Sequence, residues 1–208
     1  MSEHRILEQG VAALGLGLAP ATQARLLAYS ELLLKWNRVY NLTAIRASDQ
    51  AITHHMLDSL AVLAHLGEVE RLADVGSGGG LPGIPLAIAR PALAVTSIEA
   101  VSKKVSFQQQ ARIELGLNNL TVLNERVENV RADPLFDAVI SRAFSDLSEF
   151  VRLTAHLLRP GGRFLAMKGV YPEAEIASLP AGIRVAEALP LQVPGLDAER
   201  HLIILDQA

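Results

Sequence analysis

The chain has 208 residues, 50% of them hydrophobic and 20% charged, with no cysteine and a formal net charge of −3. That composition suits one core-bearing domain with a small appendage; it excludes a disordered chain, a disulfide scaffold, thiolate metal sites and a cysteine nucleophile. It also excludes a grip on bare nucleic acid by bulk charge, so any nucleic-acid role needs local cationic patches.

No run of about 18 apolar residues occurs, and the opening MSEHRILEQG lacks a signal-peptide core, so a soluble cytoplasmic protein is expected. Residues 1–70 read as a helical cap. Thr22 is placed to cap a helix with Leu26, Leu27, Leu33, Leu34 and Trp36 as its apolar positions. Tyr40-Asn41-Leu42-Thr43 reads as a turn. A second helix is expected over Asp49 to His65, with Met56, Leu57, Leu60, Ala61 and Leu63 inward. On it His54 and His55 point about 100° apart, which argues against a shared metal ion. A hydrogen bond from His55 to Asp58, fixing the cap to the core, is expected instead. Trp36 and Tyr40 have the spacing to stack a base, but packing between the N-terminal helices is expected for Trp36.

Residues 71–208 alternate short apolar runs with amphipathic segments. Strands are expected at Leu72–Val75, Val95–Ile98, Thr121–Leu123, Ala138–Ser141, Arg163–Met167, Arg184–Leu189 and His201–Leu205. Helices are expected at Leu81–Ala89, Lys103–Leu115, Ser145–Leu158 and Pro172–Leu179. Ser102 suits an N-cap, Gly116 a helix stop and Pro172 a first helical position. The alternation predicts an α/β domain with a doubly wound, mostly parallel, seven-stranded sheet. Only Pro190 to Arg200 separates the last two strands, so the final strand is expected to run antiparallel.

Five of the 15 glycines fall between Gly76 and Gly83, in the turn Asp74-Val75-Gly76-Ser77-Gly78-Gly79-Gly80 between a strand and a helix. The first such turn of a doubly wound sheet is a ligand site, and glycine lets backbone approach a ligand closely. Residues 78–83 spell the dinucleotide fingerprint G-x-G-x-x-G. Counted from Gly76, however, the third fingerprint position is Leu81. Asp74 before the turn would repel a pyrophosphate and suits an ammonium or sulfonium. S-adenosylmethionine carries both. Glu99, ending the next strand, is placed to accept from both ribose hydroxyls. A backbone N–H near Val127 and an acceptor on Glu128 would match the two edges of adenine.

These features resemble the class I S-adenosylmethionine-dependent methyltransferases. The likeness extends further. Lys35-Trp36-Asn37, Tyr40-Asn41-Leu42-Thr43, His55-Met56-Leu57-Asp58-Ser59, Leu81-Pro82-Gly83-Ile84-Pro85-Leu86, Ile140-Ser141-Arg142-Ala143, Met167-Lys168-Gly169 and Glu199-Arg200-His201-Leu202 together resemble the RsmG (GidB) family. Members of that family are bacterial 16S rRNA guanine-N7 methyltransferases. The resemblance implies a helical N-terminal cap over residues 1–70 on a core over 71–208. It implies cofactor contacts at Gly76, Leu81, Val127, Glu128 and Arg142, besides Asp74, Gly78 and Glu99. Gly79 stands where relatives often carry Ala or Pro, and Glu99 where Asp is common.

The fourth strand is followed by Ser141-Arg142-Ala143-Phe144, not by the N/D-P-P-Y/F of enzymes that methylate exocyclic amines. Guanine N7 already carries a free lone pair and needs no general base, so alignment and electrostatics suffice. Arg142 after the fourth strand and Lys168 after the fifth are the candidate catalytic residues. Lys103, Lys168 and Arg200 are the candidates for the RNA. No metal is expected, and a monomer is. Lys103, Lys104 and Arg112 lie in the acid-free stretch Ala100–Ile113; Arg159, Arg163 and Lys168 lie in a second, Val151–Tyr171. Two small patches suit RNA already folded in the small ribosomal subunit. The competing readings are a small-molecule methyltransferase, an NAD-type oxidoreductase and a non-catalytic nucleotide-binding regulator. The low aromatic content counts against the first, and Asp74 with the glycine register against the second.

Overall fold

The computed structural model describes residues 2–142 and 144–207; Ala143 of the fourth-strand motif lies outside them. Seven strands form one sheet in the order β3-β2-β1-β4-β5-β7-β6. They are β1 (Arg71–Val75), β2 (Ala94–Glu99), β3 (Leu120–Asn124), β4 (Phe136–Ser141), β5 (Leu158–Lys168), β6 (Ile183–Pro190) and β7 (His201–Gln207). The first five run parallel, and β7 enters antiparallel between β5 and β6. Every expected strand is present and extends one to five residues past its apolar core. The added ends include Arg71, Glu99, Asn124 and Lys168, polar residues that still pair along the ladder.

Alternation along the strands feeds two cores. Leu72, Ala138, Ile140, Leu165, Met167, Leu202 and Ile204 face one side, while Ala73, Val75, Val139, Phe164, Ala166, Ile203 and Leu205 face the other. The first side also holds Leu7, Leu26, Leu33, Ile52, Met56, Leu57 and Leu60, so the N-terminal helices share a core with the sheet. The second is closed by α7 (Leu147–Thr154) through Leu147, Phe150 and Val151.

The helix ends correct several expectations. α1 (Glu3–Ala13) begins after Ser2, whose side chain accepts from Arg5 N. α2 (Pro20–Tyr40) begins two residues before Thr22. Pro20 takes the first turn, where its missing N–H costs nothing, and Ala19 is the N-cap. Asn41 ends it with φ of 50°. α6 (Ser102–Glu114) takes Ser102 as its first helical residue, with Val101 as N-cap, and stops before Gly116 at φ +59°. In α8 (Glu173–Ala177) Pro172 is the N-cap, not the first helical residue. α7 takes Asp146 as its cap and gives way to a 3₁₀ turn at Ala155–Leu157.

The expected helix from Asp49 to His65 is present as an unbroken helical run only to Leu60, and it is not uniformly α. It runs as α3 (Ser48–Ala51), a π turn over Ile52–Leu57, α4 (Asp58–Leu60) and a 3₁₀ turn over Leu63–His65. A π turn shifts the side chains that follow it, and such insertions recur at functional sites. Trp36 is partly buried against the core that the N-terminal helices share with the sheet. It stacks on Tyr40 with centroids 5.1 Å apart and meets Phe107 of α6 at 5.7 Å. Among the described residues no helix is long and apolar enough to cross a membrane.

Candidate active site

β1 delivers the chain into the glycine turn. Gly76 N still bonds Ile98 O at 2.9 Å, and the ladder ends there. Gly76, Gly78 and Gly80 have φ of 69°, 59° and 87°, values that other residues rarely adopt. A Cβ built on Gly78 would meet nothing within 4 Å, so this face of the turn is open to a ligand. The opposite face is clamped. Tyr29 of α2 donates to Gly79 O, and Gln108 of α6 donates to Ser77 Oγ and Gly78 O, each at 2.8 Å. Leu33 lies against Gly79, where a side chain on the turn would crowd it. The absence of a side chain at Gly79 is therefore matched by the packing of the cap.

Glu99 ends β2 at the mouth of this turn. Its Oε2 accepts from Gly78 N at 2.8 Å and its Oε1 from Val101 N at 2.9 Å. Each oxygen keeps a further lone pair for a ligand hydroxyl. Asp74 is placed differently from an acid lying open to a ligand. It is wholly buried beneath the turn, and Oδ2 accepts at 2.7 Å from the N–H of Gly83, the first residue of α5 (Gly83–Ala89). Oδ1 has no hydrogen-bond partner among the described residues. Burial pushes the Asp74 carboxyl up to about 7, against the opposing pull of Gly83 N–H and Arg142. A cationic group held above the turn would satisfy this charge.

Leu81 is buried, its N–H on Ser77 O at 2.9 Å. Val127 sits in a 3₁₀ turn and packs with Val75 and Ile98 at the strand ends. Glu128 next to it is exposed and borders a small cavity with Arg131, Ala132 and His156, none of them from the glycine turn. Lys103 is exposed on the first turn of α6.

The other three cations converge. Arg142, Lys168 and Arg200 line one cavity of about 430 Å³ at the ends of β4, β5 and β7, and Thr43, His55 and Asp58 belong to the same lining. The glycine turn is adjacent: β1 pairs with β4 through Asp74 and Ile140, and Ser141 Oγ donates to Val75 O at 2.7 Å.

None of the three cations stands alone. Arg142 Nη1 lies 3.0 Å from Asp58 Oδ2, and Arg200 Nε lies 2.8 Å from Asp58 Oδ1. Lys168 Nζ bonds Glu175 Oε2 at 2.7 Å and Phe144 O at 3.1 Å. The expected His55–Asp58 bond is thus absent: both carboxylate oxygens of Asp58 bond arginines, and both ring nitrogens of His55 are engaged elsewhere, Nδ1 with His54 O at 3.0 Å. His55 instead shares a 2.8 Å bond with Thr43 Oγ1. Burial, with Arg142 nearby, lowers its pKa to about 4, so it is neutral at pH 7. Asp58, Glu175, Thr43 and Tyr29 were not read as site residues from the sequence. Asp58 and Thr43 belong to motifs shared with the RsmG family, but nothing local marks their distant partners.

The open glycine cradle, the orphaned Asp74 oxygen and the Glu99 carboxylate fit S-adenosylmethionine. With the sheet order they define a class I S-adenosylmethionine-dependent methyltransferase. Solved structures share the fold: the O-methyltransferase TomG from Streptomyces achromogenes (TM-score 0.62, 15% identity, covering 100% of this chain and 99% of that one) and a SAM-dependent methyltransferase from Aquifex aeolicus (0.58, 20%, covering 75% and 92%). The family model GidB, rRNA small subunit methyltransferase G, matches residues 22–203. Proteins named Ribosomal RNA small subunit methyltransferase G are similar over nearly the whole chain. That of Aromatoleum aromaticum is 74% identical, covering 97% of each chain, and that of Neisseria meningitidis serogroup A is 52% identical, covering 100% of each. The chain belongs to the GidB family of rRNA small subunit methyltransferases.

Proposed function

We propose that this protein transfers the methyl group of S-adenosylmethionine to N7 of a guanine in 16S rRNA of the small ribosomal subunit. The observation that carries the reading is the arginine-rich cavity directly beside an open glycine cradle, in a chain of this family.

Bound S-adenosylmethionine supplies an electrophilic methyl on a sulfonium. The chain supplies binding and alignment. Gly76 and Gly78 admit the cofactor to the backbone, Glu99 accepts from its ribose, and Asp74 contributes negative charge from below. Leu81, Val127 and Glu128 complete its surroundings. Arg142 and Arg200 suit the phosphates of the target nucleotide and hold the base over the turn, with Lys168 beside them and Lys103 further out. Neutral His55 neither takes nor gives a proton in this scheme, and N7 requires neither. The charged rim is unlike the apolar pocket expected of a small-molecule methyltransferase. The protein works as a cytoplasmic monomer without a metal ion.

The test is incubation with radiolabelled S-adenosylmethionine and small subunits lacking the modification, followed by mapping of the label. Label at N7 of one guanine is expected. Label elsewhere, or only on small molecules, would overturn the reading.

A further inference from the structure

Asp58 lies at the floor of the cavity with 1% of its side chain exposed. It directly follows the π turn. Its two oxygens are divided between two guanidiniums reached from different strands. The His54 carbonyl also accepts from Arg142 Nη1, at 3.2 Å, and Arg200 Nη1 bonds Glu199 O at 2.8 Å. Each arginine is thus pinned at two points and about a quarter exposed on the cavity side. Two arginines against one aspartate leave a single positive charge, and the Lys168–Glu175 pair adds none.

The chemistry makes that sum matter. Transfer forms a bond from the N7 lone pair to the methyl carbon. It breaks the methyl–sulfur bond, whose electron pair stays on sulfur. Positive charge therefore moves from the sulfonium to the purine. Arginines that hold the nucleotide also oppose charge arriving on the base. A buried carboxylate behind them keeps their geometry and offsets part of that opposition.

We propose that Asp58 is a positioning residue for this reaction, holding Arg142 and Arg200 on the nucleotide and moderating their charge as the purine becomes cationic. This rests on the rRNA methyltransferase reading above. The proposal separates binding from turnover in a way that mere scaffolding does not. Asp58→Asn keeps the shape but raises the cavity from one net positive charge to two. Subunit binding should then be unchanged or tighter, whereas kcat should fall roughly 10- to 100-fold through misplaced arginines and unfavourable charge. Cofactor affinity by calorimetry should be unchanged.

Arg200→Gln provides the second variant. In that background Asp58→Asn should cost much less in kcat than it does alone, because the pair acts as a unit. The idea is overturned if Asp58→Asn leaves kcat intact, if KM rises in step with falling kcat and falling thermal stability, or if the two changes are additive. Should the wild-type protein transfer no methyl to subunits, the functional reading fails on its own. Subunit binding without cofactor then still decides the matter, since weaker binding by Asp58→Asn would refute the charge argument.

Discussion

Replacing Asp74 with Asn should change how stability depends on pH. The carboxyl is wholly buried beneath the turn, and burial raises its pKa from 3.8 to about 7 in the folded protein. A group raised on folding stabilises fully below its unfolded pKa, and that contribution is lost as pH rises through the folded value. Between pH 5 and pH 8 the loss is roughly 3 kcal/mol. Asn keeps an oxygen for Gly83 N–H but does not ionise. It places an amide where Oδ1 had no partner, a cost independent of pH. The wild type should therefore lose stability relative to Asp74→Asn on going from pH 5 to pH 8. In urea the difference between their midpoints should move by about 1 M, for a slope near 3 kcal/mol/M. Subtracting the variant removes the titration of every other group, because these are common to both. The cofactor provides a second reading. A cationic ligand above the turn favours the ionised carboxylate, so cofactor affinity should rise from pH 5 to pH 8 in the wild type and rise less in the variant. Parallel stability profiles would show that Asp74 ionises in the ordinary range, and the burial argument would be wrong.

Tyr29→Phe should lower stability by about 1–3 kcal/mol in urea denaturation, since the Gly79 carbonyl loses its buried donor, and should weaken S-adenosylmethionine binding through the loosened turn. Glu99→Ala should weaken cofactor affinity in calorimetry. Lys168→Ala should leave that affinity nearly intact and lower methyl transfer, because its contacts fix Phe144 and Glu175 beside the cavity; equal effects on the cofactor would refute the division. Folded small subunits should be methylated far faster than equal amounts of protein-free 16S rRNA at one salt concentration, with a salt slope of binding that reflects only about 3–5 phosphates. A short hairpin as good as the subunit would defeat that argument from charge.

The sheet was legible because its signals are local. Short apolar runs mark all seven strands, and Asp74 with the glycines marks the turn without reference to any distant residue. Glu99 was legible for the same reason, as an acid at a strand end following that turn. The convergence of Arg142, Lys168 and Arg200 could be anticipated from their places at or beside strand ends, given the order of strands in a doubly wound sheet.

Their partners could not. Asp58 meets Arg142 across 84 residues of chain and Arg200 across 142, and Tyr29 reaches the Gly79 carbonyl across 50. Nothing in a window of four residues distinguishes a carboxylate that bonds the histidine three positions earlier from one claimed by two remote arginines. Competition decided it: guanidiniums make charge-assisted bonds stronger than a neutral imidazole can offer, and only the packed sheet brings them within 3 Å. The burial of Asp74 is of the same kind. Its place at the strand end was plain in the sequence, but whether that end opened to a ligand or closed under α5 depended on how tightly Gly83 packs over it. Local pattern thus determined the strands and the doubly wound class of the sheet, while the environment of each charge, and with it the chemistry, was set by contacts between segments far apart in the chain.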